Sequence, residues 1–104
     1  MTKTIADYGI VVCRNVVPAK DPSIMWSWRR NYIGRQGEIL LLESETRRPG
    51  KTFLYFSGSE WSEEMQDYDD WYLRTGCGEL SIDGNVLTFR IQNTIYTFER
   101  IYSE

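Results

Sequence analysis

The chain of 104 residues contains no histidine. That absence removes Ser-His-Asp and Cys-His catalysis, and with them the commonest protein metal ligand. Cysteine is scarce: Cys13 and Cys77 are the only two, and neither lies in a CxxC or zinc-ligand spacing. A cysteine nucleophile would therefore need an activator other than imidazole. Cys77 stands between two glycines in "TGCGE", where a small residue in a tight strand entrance explains it as well as a reactive thiol does. No stretch approaches the roughly 18 consecutive apolar residues of a membrane span. The opening "MTKTIADYGIVVC" lacks the apolar run of a secretion signal. These features predict a cytoplasmic protein with reduced thiols.

Two motifs are present only in part. "RPGKT" (48–52) matches the end of a phosphate-binding loop, but the glycine the motif needs at position 45 is Glu45. The acidic run "EEMQDYDD" (63–70) lacks the alternating oxygens, glycine and terminal glutamate of a calcium loop. Neither a metal nor a cofactor is expected, and the chain does not read as an enzyme.

What the chain does have is rings: four Trp, seven Tyr and four Phe, within a composition that is 41% hydrophobic. Large rings bring much apolar area per residue, which suits one small core. The length fits a single domain over residues 1–104. Net charge is −3, with the acids concentrated in the second half. Such asymmetry marks either two halves that neutralise each other or a charged face for a partner.

β-branched and aromatic runs bounded by turn residues predict strands at 8–17, 25–33, 38–44 and 51–58. In "MWSWRRNYI" (25–33), Trp26, Trp28, Arg30 and Tyr32 alternate onto one face. The spacing of Trp61, Met65, Tyr68 and Tyr72 predicts one short helix near 59–72, with Ser57 and Glu60 at capping-box spacing. The last third predicts three strands, 79–83, 86–92 and 95–102, joined by turns at Asp83-Gly84-Asn85 and Gln92-Asn93-Thr94. Leu80, Ile82, Leu87, Phe89, Ile91, Tyr96 and Phe98 then share one side. The expected class is mainly β: a small antiparallel barrel or sandwich of about seven strands with one short helix.

The segments "GELSIDGNVLTF" (78–89) and "IYTFERI" (95–101), about a quarter of the chain, resemble the closing strands of small lipocalin-like, or calycin-like, β-barrels. That resemblance implies a closed barrel holding a small apolar molecule in its interior.

Three functions follow as expectations. The first is a non-enzymatic protein that binds a small apolar or aromatic ligand in the barrel interior or mouth. Trp26, Trp28, Tyr32, Phe53, Tyr55, Phe89, Tyr96 and Phe98 would line the pocket, and Arg30 would meet an anionic group. The second is a protein-binding inhibitor, immunity protein or adaptor that uses the acidic 60–71 segment. Trp61, Glu63, Glu64, Asp67, Asp70 and Trp71 would be its contacts. The third is single-stranded nucleic acid binding through 26–35, with rings for bases and arginines for phosphate. No membrane partner is expected.

Overall fold

Seven antiparallel strands make one sheet in the order β4-β3-β2-β1-β7-β6-β5. The structure, a computed structural model, describes residues 2–19, 31–44 and 50–101. The strands are β1 (Thr2–Pro18), β2 (Gln36–Ser44), β3 (Thr52–Ser62), β4 (Asp67–Arg74), β5 (Glu79–Asp83), β6 (Val86–Arg90) and β7 (Thr94–Arg100). The expected mainly β class with about seven strands is what forms. The sheet is not closed into a barrel.

Two local expectations change. The segment 59–72 is no helix: β3 runs on to Ser62, residues 63–66 turn, and β4 returns from Asp67. Trp61 and Tyr68, seven apart and so on one helix face, instead stand directly opposite each other across this hairpin. The strand expected at 25–33 is described only from residue 31, where Asn31–Gly34 form a tight turn. There the Gly34 N–H donates to the Cys13 carbonyl at 2.7 Å, and Gly34 takes a φ of 89°. That positive φ favours glycine at this position.

β1 is long because it serves two partners. Its first part pairs with β2 and its second with β7, and register shifts fall at Thr4/Ala6, Asp7/Gly9 and Cys13/Asn15. Such bulges bend a strand and increase its twist. Gly9 sits in one of them at a φ of 77°, its N–H bonded to the Asp7 carboxylate at 2.9 Å.

The first and last strands of the sheet, β4 and β5, are consecutive in sequence, with only residues 75–78 between them. In a flat sheet they would lie about 29 Å apart, six strand spacings. The link spans at most about 18 Å. The sheet must curl, and it does. Phe56 of β3 and Phe98 of β7 belong to strands about 14 Å apart in a flat sheet, yet their rings meet edge to face with centroids 5.0 Å apart.

The link is sewn to β3. Thr75 N–H donates to the Leu54 carbonyl at 3.0 Å, and Leu54 N–H donates to Thr75 Oγ1 at 2.9 Å. Gly78 N–H donates to the Thr52 carbonyl at 2.9 Å. On its other side Gly78 faces β6, and a Cβ there would stand 2.2 Å from the Arg90 carbonyl oxygen. Inside the curl Val11, Cys13, Val16, Ile39, Leu54, Phe56, Leu73, Leu87, Phe89, Tyr96 and Phe98 are buried in one cluster. Each large side chain buried this way contributes about 1.5–3 kcal/mol. In the last three strands the expected inward side holds except at its tip, where Ile82 is 47% exposed. The β5–β6 turn is Gly84-Asn85, with Gly84 at a φ of 60°, as a two-residue hairpin requires.

Gly78→Ala should therefore be severely destabilising, by several kcal/mol, because backbone and not a flexible side chain occupies the space. Gly76→Ala, whose Cβ would meet only the Ile91 side chain at 3.9 Å, should be close to neutral. Urea unfolding midpoints of the two variants check this.

Candidate partner-binding site on the β3–β4 hairpin

From Gly58 and Trp71 outward, the β3–β4 hairpin leaves the core. Residues 59–70 are all exposed apart from Ser62, which is half-buried. Four residue steps to Ser62 and Asp67 make this free ribbon about 14 Å long before its turn. The turn is Glu63-Glu64-Met65-Gln66, with Gln66 at a φ of 53°. Gln66 Nε2 donates to the Glu63 carbonyl at 2.7 Å, and Met65 N–H donates to Ser62 Oγ at 3.2 Å. These bonds hold a shape that a non-glycine residue otherwise resists.

The ribbon has two unlike faces. On the core side Phe56 and Leu73 are followed by Gly58 opposite Trp71, then by Glu60 opposite Asp69. Trp71 packs edge to face on Phe56, ring centroids 4.9 Å apart, and tilts against Tyr32 at 5.9 Å. Its ring lies over two glycines: Cβ atoms on Gly37 and Gly58 would stand 2.9 and 2.7 Å from it. The Arg35 guanidinium covers this cluster, 5.2 Å from the Trp71 ring centroid and 5.4 Å from that of Tyr32. Arg35 Nε lies 3.9 Å from a Glu60 carboxylate oxygen. The Tyr32 hydroxyl donates to the Tyr72 carbonyl at 2.7 Å and so closes part of the edge strand β4.

The opposite face is open. Trp61 and Tyr68 form one aromatic pair, edge to face at 5.3 Å, and Tyr55 and Tyr72 form a second, stacked at 5.6 Å. Between the pairs the Ser59 hydroxyl donates to the Asp70 carboxylate at 2.5 Å. A shallow groove of about 360 Å³ lies here, lined by Tyr55, Ser57, Gly58, Ser59, Asp70, Trp71 and Tyr72. Trp61, Tyr68 and Tyr72 are 50%, 63% and 60% exposed. Over both faces and the turn the ribbon carries Glu60, Glu63, Glu64, Asp67, Asp69 and Asp70, with no lysine or arginine in 59–72. The ribbon thus carries −6 in a chain of −3, which leaves +3 for the remainder.

The residues expected to contact a partner are gathered here with one exception. Trp61, Glu63, Glu64, Asp67 and Asp70 all lie on the free ribbon, whereas Trp71 is packed at its root. Sequence reasoning offered Tyr72 as a possible anchor, did not assign Tyr68 to a partner surface, and placed Arg35 only in the basic stretch considered for nucleic acid. The alternation Tyr68, Asp70, Tyr72, Arg74 was the available signal for Tyr68. The residues expected to line an interior pocket are scattered. Phe89, Tyr96 and Phe98 are buried in the core cluster. Phe53 is 3% exposed beneath the Arg74 guanidinium, and Tyr55 belongs to the open aromatic face. Tyr32 supports Trp71. Trp26, Trp28 and Arg30 lie outside the described residues, as does half of the 26–35 segment considered for nucleic acid.

Cys13 and Cys77 are both free thiols, Cys13 buried and Cys77 half-buried. Burial pushes the Cys13 thiol up from 9.0 to about 11. No group of three or more His, Cys, Asp or Glu side chains placed to hold a metal occurs among the described residues. No helix among them is long and apolar enough to cross a membrane. Comparison with protein-family models, curated proteins and solved structures yields no match for this chain.

Two outcomes follow. Trp71→Ala should cost on the order of 3 kcal/mol, because its ring is part of the packed core edge. Trp61→Ala should change stability by less than about 1 kcal/mol, and chemical denaturation distinguishes the two. For Cys13, the folded state favours the protonated thiol. Its contribution is therefore complete below about pH 9 and is lost as pH rises through about 11. Stability measured across this alkaline range should decline less steeply in Cys13→Ala than in the parent.

Proposed function

We propose that the protein is a non-enzymatic protein-binding module that presents the β3–β4 ribbon to a basic partner. The observation that supports this reading is the pairing of exposed rings with a concentration of negative charge on a projecting hairpin, where among the described residues only Glu60 has a basic side chain within ion-pair distance. Exposed Trp and Tyr are the residue types that dominate interface energies. The carboxylates steer a positively charged partner and set its orientation. Glu60 directly opposite Asp69 also weakens the hairpin, since like charges across a strand pair are destabilising. Arg35 offsets part of this repulsion at Glu60; a basic partner would relieve the rest. The interior-ligand reading has less support, because Phe89, Tyr96 and Phe98 are spent on packing one another and Phe56. Two free thiols suit a reducing compartment such as the cytoplasm.

The test uses synthetic peptides of defined positive or negative charge and two charge-reversed variants. One variant changes Glu63, Glu64, Asp67 and Asp70 to Lys. The other changes Glu79 and Asp83 of β5 to Lys. The expected result is salt-dependent binding of basic peptides that the hairpin variant loses by about tenfold or more and the β5 variant retains, with both variants folded. Equal loss in the two variants, or no binding of basic peptides, would overturn the reading.

A further inference from the structure

We infer that the open face of the ribbon seats an arginine side chain from an extended basic segment of the partner, between the Asp70 carboxylate and the Tyr72 ring. This deepens the protein-binding reading and rests on it. On its other face the hairpin already holds a guanidinium. Arg35 lies against the rings of Tyr32 and Trp71 and within 3.9 Å of Glu60. Its Nε–H donates to the Asn31 carbonyl at 3.1 Å, so the seat there consists of two rings, a backbone acceptor and a nearby carboxylate.

The open face repeats the aromatic and anionic parts one residue further along β4. Tyr72 stacks on Tyr55, and Asp70, two positions away on the same face, stands about 6.8 Å along the strand. The Ser59 hydroxyl occupies one Asp70 oxygen at 2.5 Å and holds the carboxylate over the groove. The small residues Ser57, Gly58 and Ser59 are part of the groove's lining, which leaves room for an incoming side chain. Among the described residues no arginine or lysine is paired with Asp70 or stacked on Tyr72. Charge complementarity chooses the occupant: the ribbon is −6 with no internal cation. A guanidinium is favoured over an ammonium because it stacks on a ring while it hydrogen-bonds a carboxylate. An extended strand fits because its side chains on one face repeat at the same spacing as those of the ribbon.

The experiment compares two short peptides, one alternating Arg with Gly and one alternating Lys with Gly, of equal length and charge. Binding is followed by the fluorescence of the exposed Trp61 and confirmed by calorimetry. The Arg peptide should bind at least about threefold more tightly than the Lys peptide. Asp70→Asn and Tyr72→Ala should each weaken the Arg peptide about three- to tenfold and remove its advantage. Tyr72→Phe should retain it, and Glu64→Gln, out at the turn, should cost less than about twofold. Equal binding of both peptides, with Asp70→Asn and Tyr72→Ala no worse than Glu64→Gln, would overturn the seat and leave the ribbon reading intact. Failure of both peptides to bind would overturn both.

Discussion

The constraint on which the rest depends is the four-residue link from β4 to β5. It joins the two outermost strands of a seven-stranded sheet, and no flat sheet can accommodate that connection. The bonds of Thr75 and Gly78 to β3 close the gap, and the missing side chain of Gly78 lets the β6 backbone come in against it. Once the sheet curls, Phe56 and Phe98 meet across it and a single core forms from its inner face. The pairing of Thr75 with Leu54 also fixes where β4 ends. At the other end, β2 starts at Gln36 and pairs with β3 only from Thr52 to Ser57, so among the described residues no strand flanks β3 and β4 beyond Gly58 and Trp71. The ribbon projects because it outruns β2.

The ribbon's root and its outer part follow different physics. At the root, Trp71 fills the space above Gly37 and Gly58, and Arg35 and Tyr32 lock it from outside. Further out, the side chains touch chiefly one another, as aromatic pairs and a Ser–Asp hydrogen bond on one face and opposed acids on the other. Surface pairs of this kind add little to folding, typically under about 1 kcal/mol each. Concentrated negative charge reduces stability. The outer ribbon therefore contributes little to the fold, as the proposed partner-binding role requires.

Much of this was legible in the sequence, for local reasons. The last three strands alternate with period two and are joined by residues suited to tight turns, so Leu87, Phe89, Ile91, Tyr96 and Phe98 are assigned inward correctly. The acidic and aromatic character of 60–71 was legible as well. Its geometry was not, because Trp61 and Tyr68 at a separation of seven satisfy one face of a helix and also one rung of a hairpin with a four-residue turn. The Tyr68-Asp70-Tyr72 alternation and the acids of 67–70, which suit a helix C-terminus badly, favour the hairpin. The curl has no local signature at all. It rests on Thr52 and Leu54 finding Thr75 and Gly78, more than twenty residues away, and only the assembled sheet shows why a glycine is needed at 78.

The most direct measurement is the stability of a shortened chain in which Ser59–Asp70 is replaced by Asn-Gly, so that Gly58 and Trp71 flank a two-residue turn. If the outer ribbon stands apart from the core, this chain should unfold cooperatively with a free energy within about 1 kcal/mol of the parent. Loss of cooperative unfolding would contradict the account, because it would mean that the ribbon is needed to hold the sheet together.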